Sequence, residues 1–151
     1  MKKTIVIIFA ITFAALNSSF TFSDGNDNKI LGTWLNESGK AKVKIVKRGT
    51  KFYGKIIWLR DPNDESGKQK LDKENPKKEL KTKPIVGLEI LKGFKYIGDK
   101  KWEGGTIYDP ENGKTYDCNI AMKDNNTLKI RGYIGISLLG RTTVWSRVKK
   151  K

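Results

Sequence analysis

Apolar and polar residues alternate along most of the chain after residue 30, and a period of two is the pattern of β-strands. In residues 40–47, for example, Ala41, Val43 and Ile45 alternate with lysines, so that one face of the segment is apolar and the other is basic. The same alternation recurs along the chain. The predicted strands are residues 30–37, 40–47, 50–59, 85–92, 101–108, 114–123, 127–135 and 140–148.

Short polar segments, DPENG and DNN, separate several of these strands and predict antiparallel hairpins. The exception is the long polar segment of residues 61–84, where Asn75 is predicted to cap a short helix with Pro76 at its first position. About eight consecutive strands with almost no helix predict an all-β fold, an up-and-down antiparallel β-barrel, because closure removes exposed strand edges. A barrel of about eight strands holds either packed side chains or one small ligand.

The N-terminus has a different character from the rest of the chain. Lys2 and Lys3 precede an apolar run over residues 4–16, which is followed by small polar residues. This is the pattern of a secretory signal peptide, and the run is shorter than the roughly 20 residues that span a bilayer. We predict a signal peptide over residues 1–23, a single barrel domain over residues 24–151, and an exported protein, periplasmic or secreted.

The predicted mature chain is strongly basic. Of the 31 Lys and Arg residues, Lys2 and Lys3 precede residue 24, which leaves 29 against 16 Asp and Glu and a net charge of +13. Such a charge favours anionic glycans and lipid surfaces as partners. Residues 60–84 carry eight basic and six acidic side chains, so this loop is not a nucleic-acid arm and no nucleic acid is expected. The candidate anion-binding surface is Lys40, Lys42, Lys44, Arg48 and Lys51, for which a solvated strand face is the simpler interpretation.

The chain has no histidine and one cysteine, Cys118. An intramolecular disulfide, histidine-based catalysis and histidine-ligated zinc are therefore excluded. Cys118 shares its strand face with Ile120 and Met122, which predicts a buried, inert thiol. Residues 109–114 fit a hairpin turn better than a calcium loop, and residues 61–72 lack the glycine position that an EF-hand needs. We predict no metal, no cofactor, and a monomer or weak dimer.

Aromatic and arginine residues on the strands are the candidate ligand contacts. Every second residue of a strand points to the same face. This parity of position places Arg131 and Tyr133 on one face of the seventh strand, and Arg141, Trp145 and Arg147 on one face of the eighth. Such rows face water in a simple barrel, but if they point inward they line a pocket for an anion or a sugar. Parity leaves both orientations open. The candidate ligand-binding set is Tyr53, Trp58, Tyr108, Arg131, Tyr133, Arg141 and Trp145.

Gly32-x-Trp34 in the first strand and Trp145-x-Arg147 in the last resemble the lipocalins and their calycin relatives. In those proteins a Gly-x-Trp packs under a basic residue of the final strand. The resemblance implies that Trp34 and Arg147 close one end of the barrel, with the cation over the indole face.

Longer segments resemble a family of exported bacterial proteins called domain of unknown function 2147. Lys55 and Lys81 depart from the family pattern, because arginine is expected at both positions. The resemblance implies an exported, lipocalin-like barrel and carries no particular activity. The matching segments are GTW (32–34), YGKIIWL (53–59), Asp72-x-x-Asn75-Pro76 with Leu80 and Pro84, GLEIL (87–91), GGTIYDPENGKTYDC (104–118) and LKIRGYIGISLLGRTTVWSR (128–147).

These observations predict a binding protein that holds a small amphipathic or anionic molecule within the barrel or at its mouth. The alternative is an envelope-surface protein that docks on anionic polymers or lipids through residues 40–55 and its basic C-terminal tail. An enzyme is the third hypothesis, since the pattern shows no pair of nucleophile and base.

Overall fold

The computed structural model describes residues 25–149, which form a closed antiparallel barrel of eight strands in chain order. The predicted all-β up-and-down barrel is therefore confirmed. The predicted signal peptide, residues 1–23, lies outside the described residues, as do residues 150 and 151. The strands are β1 Gly32–Leu35, β2 Ala41–Arg48, β3 Lys51–Leu59, β4 Glu89–Gly98, β5 Lys101–Asp109, β6 Lys114–Asp124, β7 Thr127–Tyr133 and β8 Arg141–Arg147.

Alternation of side chains produces the wall of the barrel. In β2 the residues Ala41, Val43 and Ile45 are buried, whereas Lys44 between them is exposed. Burial of the apolar row removes it from water, and this is the main favourable contribution to folding. The barrel closes where the last strand meets the first, with Trp34 opposite Arg147 in an antiparallel pair.

The up-and-down order divides the connections between two ends of the barrel. The β2–β3, β4–β5 and β6–β7 turns lie at one end, together with the start of β1. The β1–β2 turn, the long β3–β4 connection, the β5–β6 turn and the β7–β8 connection lie at the other. We call these the closed end and the open end, because large side chains fill only the first.

Aromatic side chains fill the closed end. Trp102 is fully buried and packs edge-to-face on Phe52, with ring centroids 6.2 Å apart. Tyr96 lies against the same indole at 5.2 Å. Ile30, in the 3₁₀ helix Asp27–Ile30 that precedes β1, is also fully buried. Half of the barrel is thus a packed core, and any ligand space must lie toward the open end.

The fourth strand differs from the prediction of residues 85–92. It begins at Glu89 and continues to Gly98, so that it includes the buried Phe94. Gly93 has a φ of 78°, and this break in the extended backbone hides the alternation of the second half of the strand. The turn that follows has Asp99 and Lys100 at φ 48° and 57°, a conformation that usually calls for Asn-Gly.

The predicted helix after Asn75 and Pro76 is corrected to a single 3₁₀ turn, Lys78–Leu80. Asn75 does not cap it, because its side chain is buried and accepts a hydrogen bond from the Lys77 backbone N–H while it donates to Asp72. The third 3₁₀ helix is Ser137–Leu139. Within residues 25–149 no helix has the length and apolar character required to cross a membrane.

Candidate functional site

The barrel contains a cavity of about 690 Å³ that opens at the open end. This volume lies within the range of small-molecule sites, roughly 300–1,000 Å³. Its walls are mainly apolar, and seven of the eight strands, β2 to β8, contribute residues to them. The apolar residues that line the cavity are Ala41, Ile56, Leu59, Ile85, Ile90, Ile107, Ile130 and Trp145.

Polar residues surround the mouth of this cavity. The charges have both signs, so the rim as a whole does not select an anion. Asp109 is already engaged, since its carboxylate accepts hydrogen bonds from the Glu111 backbone N–H and the Asn112 side chain. The charged lining residues are the cations Lys40, Lys70 and Arg141 and the acids Glu37, Asp61, Asp109 and Glu111.

The arginine and aromatic row of β8 points inward. Trp145 is only 4 % exposed and pairs with the buried Leu128 across the β7–β8 ladder. Further along the same face Arg141 lies opposite Gly132, and both line the cavity. Gly132 has no side chain, so the space beside Arg141 stays open. Of the two orientations that the sequence left open, the row takes the inward one, because the pairing register sets β8 in phase with the apolar face of β7.

Arg141 is an arginine of the cavity rim whose guanidinium is not engaged. Within residues 25–149 the guanidinium groups of Arg60 and Arg141 have no hydrogen bond, ion pair or aromatic partner, whereas Arg48, Arg131 and Arg147 all have partners. Of these two, only Arg141 lines the cavity. A free guanidinium at the mouth of an apolar cavity can form charge-assisted, bidentate hydrogen bonds with a carboxylate or phosphate.

The Arg131 and Tyr133 row lies on the outer face of the barrel. Tyr133 pairs with the exposed Asp117, and neither residue lines the cavity. The guanidinium of Arg131 donates to the carbonyls of Ser137 and Leu138 and to the Thr142 hydroxyl, at 2.7, 3.0 and 2.8 Å. Arg131 therefore holds the β7–β8 connection and is not available inside the lumen.

Tyr53 and Trp58 also lie on the outside of the barrel. The Arg48 guanidinium lies 3.6 Å from the Tyr53 ring centroid, and the Lys42 ammonium lies 4.6 Å from that of Trp58. These cation–π contacts partly cover two aromatic rings on the β2–β3 surface. Of the seven candidate ligand contacts, the structure brings Tyr108, Arg141 and Trp145 together around the cavity and leaves Tyr53, Trp58, Arg131 and Tyr133 outside it.

The candidate anion-binding surface is divided in the structure. Lys40 precedes β2 and lines the mouth of the cavity, so it does not continue the outward row. Arg48 forms an ion pair with Glu89 at 2.9 Å. Lys44 and Lys51 are exposed, and Lys44 lies directly opposite Lys55 on β3.

Trp34 and Arg147 lie at the closed end. The Arg147 guanidinium carbon is 4.1 Å from the Trp34 ring centroid, and the indole N–H donates to the Ile30 carbonyl at 2.9 Å. Gly32 has a φ of 131°, and a Cβ there would lie 2.9 Å from a guanidinium nitrogen of Arg147. The positive φ favours glycine at this position, and a larger residue would also press on the Arg147 guanidinium. Burial lowers the pKa of Arg147.

A polar cluster fixes the long β3–β4 connection over the open end. The Tyr108 hydroxyl donates to Asp72 at 2.6 Å, and the Asn75 amide donates to the other carboxylate oxygen at 2.7 Å. Asp72 is fully buried. Burial, and then the hydrogen bond to Asp72, raises the pKa of Tyr108. The β5–β6 turn packs directly against the same connection, because a Cβ on Gly113 would overlap the carbonyl oxygen of Glu74.

The sequence did not reveal the role of this cluster. Asp72 and Asn75 were visible only as parts of a motif, and their partner Tyr108 lies 36 positions from Asp72 along the chain. Most isoleucines of the cavity wall carried a signal in the sequence, since each occupies an inward position of its strand, whereas Ile85 lies in the β3–β4 connection. Within residues 25–149 no group of three or more metal-ligating side chains is present.

Cys118 lies on the inner face of β6, where it is buried together with Ile120 and Met122. Burial raises the pKa of its thiol to about 12. At neutral pH the thiol is therefore protonated, and the thiolate is the nucleophilic form.

A family model described as "Uncharacterized protein conserved in bacteria (DUF2147)" matches residues 32–147, from the first strand of the barrel to the last. The chain belongs to the DUF2147 family. The resemblance predicted from GTW, from residues 104–118 and from residues 128–147 is thereby confirmed. No curated protein matches the chain.

A solved structure extends this assignment of DUF2147 to the fold. Protein HP1028 from the human pathogen Helicobacter pylori, described as belonging to the lipocalin family, is similar to this chain with a TM-score of 0.71 and 26% sequence identity. The match covers 80% of this chain and 83% of that chain. This DUF2147 member is therefore a lipocalin-like barrel, a fold that suggests ligand binding in general.

Proposed function

We propose that this protein binds a small amphipathic molecule with an anionic group, which inserts its apolar part into the barrel and leaves its anionic group beside Arg141. The cavity carries the proposal, because it combines an apolar wall with an unengaged guanidinium at its mouth. Such a site suits an amphipathic ligand better than a fully polar one, since burial of apolar ligand surface supplies most of the affinity.

The geometry of β8 indicates the size of the ligand. Trp145 lies deep in the lumen and Arg141 at the mouth, four residues apart on the same face of the strand. At roughly 3.3 Å per residue, this separation is about 13 Å. A saturated chain of medium length, such as that of decanoate, is a suitable probe.

The experiment compares decanoate with decanol by calorimetry on delipidated protein. We expect both molecules to bind and decanoate to bind more tightly. Arg141→Gln should weaken decanoate binding about tenfold, the effect of one charge-assisted hydrogen bond, and leave decanol binding unchanged. Ala41→Trp, which places an indole in the lumen, should abolish binding of both.

The matched control is Arg60→Gln. Arg60 is an exposed arginine at the same end of the barrel that does not line the cavity. This variant should bind both molecules as the unaltered protein does. Failure of either molecule to bind, or equal weakening of decanoate by Arg60→Gln and Arg141→Gln, would sink the proposal.

A second candidate function is docking on an anionic envelope polymer through the outer face of β2 and β3. Lys44 and Lys55 lie directly opposite each other on neighbouring strands and are both exposed. Like charges in this arrangement repel, and an anion bound between them would relieve the repulsion. Lys44→Glu should abolish binding to heparin-agarose at low salt, whereas Lys129→Glu, an exposed lysine on β7, should preserve it.

We also propose that the protein is exported. This proposal rests on the N-terminal residues 1–16, in which two lysines precede a short apolar run, as in a secretory signal peptide. Expression of the whole chain in a bacterium, followed by fractionation and N-terminal sequencing, tests this. A product that retains residues 1–23 in the cytoplasm would contradict it.

A further inference from the structure

The connection between β7 and β8 exposes large apolar side chains to water. We call this segment, residues 134–140, the mouth loop. Four of its seven residues are apolar and largely exposed: Ile134 by 70%, Ile136 by 58%, Leu138 by 82% and Leu139 by 80%. Scattered apolar residues are normal on protein surfaces, but a contiguous group of this kind marks an interaction site.

The mouth loop is held in a defined shape that displays these side chains. Arg131 donates hydrogen bonds to the carbonyls of Ser137 and Leu138. The Leu139 and Gly140 backbone N–H groups bond to Ile136 and Ser137. A Cβ on Gly140 would lie 2.6 Å from the Gly132 carbonyl oxygen, so the end of the loop packs tightly on β7. The loop is therefore supported by polar bonds to its backbone, while its apolar side chains remain free.

The chain segment that carries the mouth loop is basic, although acids such as Glu111 and Asp117 lie on the neighbouring β5–β6 hairpin. Residues 125–151 contain no Asp or Glu. Their basic residues include Arg131 and Arg141, which lie within three residues of the two ends of the loop. An apolar group flanked by cations is complementary to a surface with anionic head groups above an apolar interior.

The mouth loop also lies beside the cavity. It connects strands whose ends at the mouth, Gly132 and Arg141, line the cavity. The buried side chains of Phe52, Phe94 and Trp102 fill the opposite end of the barrel, so the route into the lumen through residues 25–149 is at the end where the loop lies.

We propose that the mouth loop docks the open end of the barrel on an anionic phospholipid bilayer. The four apolar side chains insert at the boundary between head groups and acyl chains, and the neighbouring cations contact the head-group phosphates. The cavity then opens toward the membrane, where an amphipathic ligand is concentrated. The docking goes beyond the proposed ligand binding and does not depend on it.

Co-sedimentation of the exported, purified protein with vesicles tests the docking. At 0.15 M salt we expect binding to vesicles of phosphatidylglycerol and phosphatidylcholine, and at least about tenfold weaker binding to phosphatidylcholine alone. The double variant Leu138→Ser/Leu139→Ser should lower the partition coefficient for the anionic vesicles at least tenfold, because two large apolar side chains no longer insert. These residues are largely exposed, so the barrel should keep its stability.

The matched control is Val46→Ser/Ile97→Ser, which removes two exposed apolar side chains away from the mouth. Val46 lies near the end of β2 and Ile97 near the end of β4, both at the closed end. This variant should bind anionic vesicles as the unaltered protein does. Equal binding by the two double variants would overturn the proposal. So would a loss of self-association, measured by light scattering, in the mouth-loop variant alone, since the loop would then join two copies of this chain.

Decanoate binding separates this proposal from the function proposed for the cavity. The mouth-loop variant should bind decanoate from solution with unchanged affinity, and Arg141→Gln should retain at least half of the vesicle binding. If the mouth-loop variant lost decanoate binding but kept vesicle binding, the proposal that the loop docks on membranes would be overturned. The proposal that the cavity binds an amphipathic ligand would still stand.

Discussion

Arg147, the last residue of β8, lies over the ring of Trp34 in β1, and the two residues are paired across the seam that closes the barrel. The same guanidinium donates hydrogen bonds to the carbonyls of Lys29 and Leu31, which precede β1, and of Asn125 in the β6–β7 turn. One side chain thus joins three separate segments at the closed end.

Arg147→Lys is expected to lower the free energy of unfolding by about 2 kcal/mol. An ammonium group cannot reproduce a planar guanidinium that stacks on an indole and donates to three carbonyls at once. Urea unfolding followed by circular dichroism measures the change. The control is Arg141→Lys, whose effect should stay within about 0.5 kcal/mol because Arg141 has no partner within residues 25–149. Equal destabilisation by the two variants would contradict the closing role of Arg147.

Tyr108→Phe is expected to loosen the long β3–β4 connection. The variant removes the hydroxyl that donates to Asp72, and a buried carboxylate oxygen left without its donor costs about 1–3 kcal/mol. Local opening of the loop should then raise the rate of trypsin cleavage after the lysines between residues 68 and 83 several-fold. Tyr133→Phe, on the outer face, is the control and should be cleaved at the original rate. An unchanged cleavage rate in Tyr108→Phe would show that Asp72 does not hold the loop.

The stability of the protein is expected to fall at alkaline pH because of Cys118. Burial raises the pKa of the thiol from its ordinary value of 9.0 to about 12. Below pH 9 the thiol is protonated in both states, so its contribution is fully present. Between pH 9 and pH 12 only the unfolded chain releases the proton, and stability declines by up to about 1.4 kcal/mol per pH unit.

Urea unfolding of the protein and of Cys118→Ala at several pH values measures this decline. The difference between the two proteins isolates the thiol from the lysines and tyrosines that titrate in the same range. The alanine variant should show the shallower decline above pH 9. Parallel curves for the two proteins would mean that the thiol ionises equally in the folded and unfolded states.

The local alternation of apolar and polar residues was sufficient to predict most strands. β2 and β6 alternate without interruption, so Ala41, Val43 and Cys118 were assigned to inner faces that the structure reproduces. It was insufficient for β4, where Gly93 adopts positive φ and interrupts the alternation. It also misplaced Ile134, which was assigned to the seventh strand and lies exposed in the mouth loop.

The sequence by itself determined most of the strands, the eight-strand barrel and the family, because strand alternation and turn chemistry are local and the matching segments are long. Only the tertiary structure decided what the barrel can hold. Parity defines two faces of β8 but not which one is inside, and that depends on its register with β7, where Leu128 lies opposite Trp145. The same register turned Arg141 toward the cavity and left Arg131 outside it, although both arginines had been equal candidates.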